Sequence, residues 1–430
     1  MSPPGRQIGR VDSPASKELG QRVLGPALAL LLGERQPMAP VYIPLVLFLS
    51  CCNALRVSTT NPVTLPPGTQ VYVNSSEGYH TFRIPTLAVT PKGTLLAFAE
   101  GRARLNLTTA DDADCYGVGA SAADWKCTNK DVVVKRSFDG GVNWGPAQTL
   151  ALATTHYFFT NPQPLVTKDG TLFVLYMRCL SPTGGGNAFV NCTVLIQRSD
   201  DEGTSWGEGV EVPPVQSSNG GFGGLELASG RLLFSPPSSV HTGALYSDDK
   251  GVSWVWGEAA PGGGGENQVA ELAPGLLLMT VRKGNNSRLM FTSSDEGSSW
   301  GVGRAQGVTD PNCQASLLAV SDTNPPFLLF ANPHTSGLLP YAQGRQNVTV
   351  QRSDDGGRVW TTLLLVDEGP SAYTALGNLG GGVCGILYEE SADLPVDFRS
   401  IRFLKFECAT GVPLPPSSHI SKNRKYFENS

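Results

Sequence analysis

Charge is scarce in this sequence: Asp, Glu, Lys and Arg make up 16% of its 430 residues, and the formal net charge is −5. No basic stripe occurs anywhere, which argues against nucleic acid as a partner. The five histidines are scattered, and no C-x-x-C pair or His/Cys cluster suggests zinc. No run of about 18 apolar residues occurs, so no spanning helix is expected. What the chain has in quantity is glycine (50) and proline (32), set between short apolar runs. That mixture predicts many short strands joined by tight turns, an all-β architecture.

The amino-terminal part reads as an address. Residues 38–54, "MAPVYIPLVLFLSCCNA", have an apolar core of about ten residues followed by small residues at Cys52 and Ala54, a signal-peptide pattern with cleavage after Ala54. Either Met38 is the true start or residues 1–37 form a long leader. The expected organisation is a leader over 1–54 and a single domain over 55–430. Acceptor sequons begin at Asn74, Asn106, Asn191, Asn285 and Asn347, all after the leader. Seven cysteines follow the leader. Cys115 with Cys127, and Cys179 with Cys192, are spaced to staple loops, and the odd count leaves at least one unpaired within the chain. These features point to the secretory pathway, with lysosome and cell exterior both open.

Self-comparison reveals a repeat. "SFDGGVNW" (137–144), "SDDEGTSW" (199–206), "SDDKGVSW" (247–254), "SSDEGSSW" (293–300) and "SDDGGRVW" (353–360) share S-x-D-x-G-x-x-W. Their aspartates, Asp139, Asp201, Asp249, Asp295 and Asp355, are 62, 48, 46 and 60 residues apart. Strand-like residues precede the copies, as in "DVVVKR" and "NVTVQR". Each copy is therefore predicted to be a hairpin turn in which Asp accepts backbone N–H bonds, Gly takes a positive φ and Trp packs back on the strands. One active site does not need five copies of a turn, so these aspartates are structural. Periods of this length with several strands each predict a β-propeller, and the residues after the leader suffice for six blades of four-stranded antiparallel sheet.

One arginine resists a structural explanation. In "YHTFRIPTLAV" (79–89), Arg83 sits among Phe82, Ile84, Leu87 and Val89, and the sole acid within six residues is Glu77. A buried guanidinium cannot be neutralised and needs an anion. That anion is either a side chain from elsewhere in the chain or a bound ligand.

Turns of the S-x-D-x-G-x-x-W kind are Asp boxes, and with an upstream "FRIP" the chain resembles the sialidase (neuraminidase) superfamily over nearly all its length after the leader. The details look closest to the lysosomal, sialidase-1-like branch. The resemblance implies three arginines that grip the carboxylate of sialic acid, here Arg83, Arg282 of "ENQVAELAPGLLLMTVR" and Arg345 of "GRQNVTVQR". The anion of Arg83 is then expected to be the substrate. Planar guanidiniums suit that task because they bind carboxylates in fork geometry. It also implies a tyrosine nucleophile, matched by Tyr373 in "GPSAYTAL", and a glutamate base sixteen residues before the second arginine, which is Glu266, with Glu271 as the alternative. A carboxylate nucleophile would be repelled by the substrate's own carboxylate, whereas a phenol is neutral until a base takes its proton. The acid/base aspartate of the family falls on the loop after "FAEGR". Asp124 is assigned to it, with the Asp111–Asp114 cluster as the alternative, and Asp131 is read as structural. Arg102 of "FAEGR" matches a further substrate-side arginine. The glycine run "SNGGFGGLEL" (218–227) is read as close backbone approach to the sugar.

The resemblance thus implies an exo-α-sialidase that acts on glycoproteins, gangliosides and oligosaccharides, uses no metal or organic cofactor and retains configuration. An acidic optimum of about pH 4 to 5 follows from an aspartate that must be protonated at rest. A lysosomal address would raise the need of related enzymes for a stabilising protein partner. A non-catalytic Asp-box propeller that binds glycans or proteins is the alternative of another class, and transfer of sialic acid to a sugar in place of water is the alternative within the enzyme reading.

Overall fold

The computed structural model describes residues 68–104, 129–181, 192–212, 223–236, 242–284, 287–335, 344–392 and 398–416. Among these residues there are strands and no helix. The first sheet consists of β2 (Tyr79–Val89), β3 (Leu95–Arg104), β4 (Lys130–Ser137) and β5 (Gln148–Ala151), in that spatial order. The second follows the same order with β6 (Tyr157–Val166), β7 (Leu172–Leu180), β8 (Cys192–Ser199) and β9 (Val210–Glu211). The third contains β10 (Gly224–Glu226), β11 (Leu232–Phe234), β12 (Leu245–Ser247) and β13 (Val255–Trp256), and the fourth β14 (Asn267–Ala273), β15 (Leu276–Gly284), β16 (Ser287–Ser293) and β17 (Arg304–Ala305).

The last two sheets share one long strand. β18 (Ser316–Val320), β19 (Phe327–Pro333) and β20 (Gln346–Ser353) are completed by the first half of β21 (Thr361–Gly380). The second half of β21 pairs with β22 (Val383–Ser391), which pairs with β23 (Phe398–Glu407). The sixth sheet then takes its outer strand from the other end of the domain: β1 (Thr69–Val73) runs antiparallel to β23, with Thr69 opposite Phe403. The short β24 (Pro413–Leu414) also pairs with β23. Leading strands touch in succession, β2 to β6, β10, β14, β18 and β21, and β21 returns to β2, so the ring closes. This is the six-bladed propeller of four-stranded antiparallel sheets that the repeat predicts.

The repeated turns link the third and fourth strands of the first five sheets. In the second, the Asp201 carboxylate accepts from Ser205 N and from the Ser199 and Ser205 hydroxyls, and Gly203 takes φ 73°. The sixth sheet has no such turn, because its outer strand is β1 and not the continuation of β23. That is why six blades carry five boxes. The tryptophans do more than close their own turns. Trp206 of the second box meets Phe98 of the first blade edge-on at 5.9 Å, Trp254 of the third meets Phe173 of the second at 6.0 Å, and Trp144 of the first meets Phe403 of the sixth at 5.6 Å. Each is a wedge into the preceding blade.

The box glycines answer the same packing. A Cβ on Gly203 would stand 2.4 Å from Leu96, on Gly297 2.6 Å from Leu233, and on Gly357 2.9 Å from Leu278, each in the preceding blade. Positive φ and close approach therefore require glycine together. The apolar core lies between neighbouring sheets, as where Leu96, Phe98 and Val134 pack on Leu172, Val174 and Tyr176. Of the loop staples, Cys179–Cys192 is formed, and Cys384–Cys408 is a second disulfide. Cys313 is free and buried. Cys115–Cys127 lies outside the described residues.

Candidate active site

The leading strands of the first and second blades are broken in the same way. "FRIP" in β2 and "FTNP" in β6 each contain a bulge, where the register shifts between Arg83 and Thr86 and between Thr160 and Gln163. Ile84 and Asn161 occupy equivalent places in the two bulges, at φ 60° and 57°. Positive φ is tolerated by asparagine but strained for a β-branched residue, at a cost of about 1–3 kcal/mol.

Glutamates from the second strand of the preceding blade hold both bulges. Glu389 of β22 accepts from Ile84 N at 2.8 Å, and Glu100 of β3 accepts from Asn161 N at 2.8 Å. Each glutamate also carries an arginine. Glu389 takes Arg83 along two bonds, Nε to Oε1 at 3.1 Å and an Nη to Oε2 at 3.0 Å, and Glu100 takes Arg102 at 2.8 and 2.6 Å. All four side chains are buried.

Arg83 thus already has a protein carboxylate as partner, one that lies 306 residues away in the sequence, which corrects the expectation that a substrate is its sole anion. Phe398 stacks on the same guanidinium at 3.8 Å. Glu389 was missed because its partner is remote. The signal was an acid on the buried face of "GILYEES", in line with Gly385 and Leu387.

Tyr373 lies beside this pair. Its N–H donates to Glu389 Oε2 at 3.0 Å, and Arg83 sits 5.2 Å from the centre of its ring. Its hydroxyl donates to Glu266, whose other oxygen pairs with Arg282 at 2.6 Å. Arg282 also reaches the Tyr373 hydroxyl at 3.5 Å. The sixteen-residue spacing of Glu266 and Arg282 follows from the β14–β15 hairpin. Asn267 is opposite Val281, so the next position outward brings Glu266 to Arg282, whose N–H bonds the Glu266 carbonyl at 2.8 Å. Arg345, buried at the entrance to β20, points its guanidinium to within 5.9 Å of the Tyr373 ring. Five of the expected residues thus form one cluster: Arg83, Arg282, Arg345, Glu266 and Tyr373.

Arg102 adjoins this cluster through its own pair with Glu100. Burial pushes the Glu100 carboxyl up, but Arg102, Lys130 and bonds from Thr160 and Asn161 outweigh it and hold the group at about 2. Lys130, opposite Arg102 across β3 and β4, is pressed down to about 7 by burial and by Arg102. The named residues present more cationic than anionic groups in a buried place, an arrangement suited to an anionic ligand.

Other expectations fall elsewhere. Asp124 and the Asp111–Asp114 cluster lie outside the described residues. Asp131 is structural, as expected: it accepts from Tyr79 Oη at 2.7 Å and Ala153 N at 2.6 Å. Glu271 is at the far end of β14 from Glu266 and caps the N–H groups of Ala228 and Gly275. It lines a cavity of about 640 Å³ at the opposite end of the leading strands, as do Gly223 and Gly224 of the glycine run. For those two glycines the backbone supplies another reason: a Cβ on Gly224 would stand 2.7 Å from the Phe234 ring, and Gly223 takes φ 135°.

A propeller that gathers this cluster from its first, fourth, fifth and sixth blades defines the class, and sequence relatives agree. The BNR repeat-like domain matches residues 126–386, and the chain belongs to that family, within the sialidase superfamily. A sialidase of Micromonospora viridifaciens is 26% identical over 438 residues, covering 91% of this chain and 64% of the relative. A sialidase of Bacteroides fragilis is 27% identical over 378 residues, covering 78% and 65%. The chain thus spans just under two thirds of the length of these relatives. Among solved structures, the Hadza microbial sialidase Hz136 superposes with a TM-score of 0.64 at 27% identity, over 78% of this chain and 68% of the other.

Proposed function

We propose that the chain is an exo-α-sialidase, a retaining glycoside hydrolase that releases terminal sialic acid from glycoproteins, gangliosides and oligosaccharides. The observation that carries the reading is the Tyr373 hydroxyl donating to Glu266 within reach of three arginines. A phenol with an ordinary pKa of about 10 is a poor nucleophile until a base takes its proton, and Glu266 is in hydrogen-bond contact to do so. The arginines supply the complement: sialic acid carries a carboxylate on its anomeric carbon, and Arg83, Arg282 and Arg345 offer guanidiniums to hold it.

In the first step the Tyr373 oxygen bonds to the anomeric carbon, its proton passes to Glu266, and the bond to the aglycone oxygen breaks as Asp124 protonates that oxygen. In the second, Asp124 takes a proton from water, the water oxygen displaces Tyr373, and Glu266 returns the proton to the phenolate. Two displacements leave the configuration unchanged. The secretory location belongs to the same proposal, supported by the Cys179–Cys192 and Cys384–Cys408 disulfides and the sequons.

The test is fluorophore release from an α-sialoside by the full chain at about pH 4.5. Tyr373→Phe, which keeps the ring and loses the hydroxyl, is expected to lower kcat by roughly 10³-fold or more while the fold persists. Parent turnover matched by Tyr373→Phe would refute the nucleophile, and a folded parent that binds sialoside without cleaving it would identify a glycan-binding propeller.

A further inference from the structure

Arg282 and Arg345 come from different blades, yet one short segment ties both. Asn312, in the turn that leads into β18, accepts from Arg282 Nε with its side-chain oxygen at 2.8 Å. Its main-chain carbonyl accepts from an Nη of Arg345, also at 2.8 Å. Asn312 has φ 56°, a conformation that asparagine adopts more readily than other side-chain-bearing residues and that turns its two acceptors toward two different guanidiniums.

The turn itself is clamped. Asp310 and Arg288 form an ion pair at 2.9 Å with both side chains fully buried. Asp310 accepts from Cys313 N at 3.0 Å, and Arg288 donates to the Cys313 carbonyl at 2.9 Å, so the two peptide groups that follow Asn312 are fixed. Two residues on, Gln314 exchanges hydrogen bonds with both backbone groups of Thr374, at 2.8 and 2.9 Å, immediately after Tyr373. Residues 310–314 therefore touch the base-bearing arginine, its neighbour from the fifth blade and the segment of the tyrosine.

We propose that Asn312 is a positioning residue that sets the separation and direction of Arg282 and Arg345, so that the two guanidiniums meet one carboxylate of the substrate together. This rests on the sialidase reading and adds to it a residue with no part in the chemical steps. Planar guanidiniums lose much of their advantage over lysine when they can rotate about their stems, because fork geometry is then made only at an entropic cost.

Asn312→Gly is the informative variant, since glycine keeps the positive φ and the carbonyl that holds Arg345 and removes only the acceptor for Arg282. Steady-state kinetics on an α-sialoside and calorimetry with free sialic acid would be run on the full chain and this variant. KM and the sialic acid Kd are expected to rise about tenfold or more, the loss of one charge-assisted hydrogen bond, while kcat stays within about threefold. Asn312→Asp, which restores an acceptor, is expected to recover most of that loss. A residue that merely supports the fold would lower the unfolding midpoint and the active fraction without this split. Unchanged KM and Kd in Asn312→Gly, or a fall in kcat alone, would overturn the proposal while the parent's turnover left the sialidase reading intact. A folded parent that neither binds nor cleaves would overturn both.

Discussion

The aspartates of the five turns and the glutamates of the site are all fixed by hydrogen bonds, but over different spans of chain. Asp295 is held by Ser293 and Ser299, within four residues on either side. Burial, the largest single influence, raises its carboxyl, but those bonds together outweigh it, so the group sits below the usual carboxylate range. Glu389 is held by Arg83, Ile84 and Tyr373, and it reaches across the seam between the sixth blade and the first. The first arrangement is self-contained, repeatable and exposed. The second is buried and is made across a seam between blades, and each partner depends on the other for its place. A turn that secures itself can be copied around a ring, whereas a site is made where the copies meet.

That contrast can be tested by removing one member of each set, beginning with the largest effect. Glu389→Ala leaves Arg83 buried without its bidentate partner and is expected to cost about 3–5 kcal/mol in urea unfolding. The double variant with Arg83→Ala should cost less than the sum of the two single changes. A loss below about 1 kcal/mol for Glu389→Ala would mean that the seam does not depend on this pair.

Glu100 offers a second test through pH. Its folded pKa of about 2 lies below the ordinary value of 4.5, so its contribution is fully present above pH 4.5 and is lost as pH falls toward 2. The shift corresponds to about 3 kcal/mol, and Glu100→Gln is expected to flatten the acid limb of the unfolding curve over that window. An acid limb of parent steepness in the variant would place the titration elsewhere. Asp295→Ala marks the small end of the series, a loss of about 1 kcal/mol, comparable with removal of a capping side chain. A loss as large as that of Glu389→Ala would erase the distinction between the two sets.

The same contrast explains what could be read from the sequence. The boxes were legible because the bonds that hold their aspartates lie inside eight residues, and their count and spacing led to the propeller. Glu266 and Arg282 were placed as a pair by the spacing that the resemblance implies, and one hairpin accounts for that spacing. Arg83 was conspicuous as a charge in an apolar run, but its partner was not, because no local pattern connects β2 to β22. The parallel between Glu100 of "FAEGR" and Glu389 of "LYEES" could have suggested it, since both acids stand on buried faces of second strands. Asn312 carried no sequence signal at all. Its role comes from a backbone conformation and two guanidiniums delivered by other strands. The tryptophans were assigned to their own strands, where Trp254 and Trp360 do meet Phe234 and Phe330; what could not be read was their second contact, with the preceding blade, a relation that exists only once blades are adjacent.

Closure of the ring by β1 has a consequence for synthesis. Thr69 leaves the ribosome long before Phe403, its partner across β23, has been translated. During that interval the sixth sheet cannot be completed, and Val71 and Tyr72, both buried in the finished domain, have no sheet to enter. The first strand must therefore be kept from pairing with another edge until nearly the whole chain has emerged. The nascent protein is thus exposed longest at the very strand that will seal it.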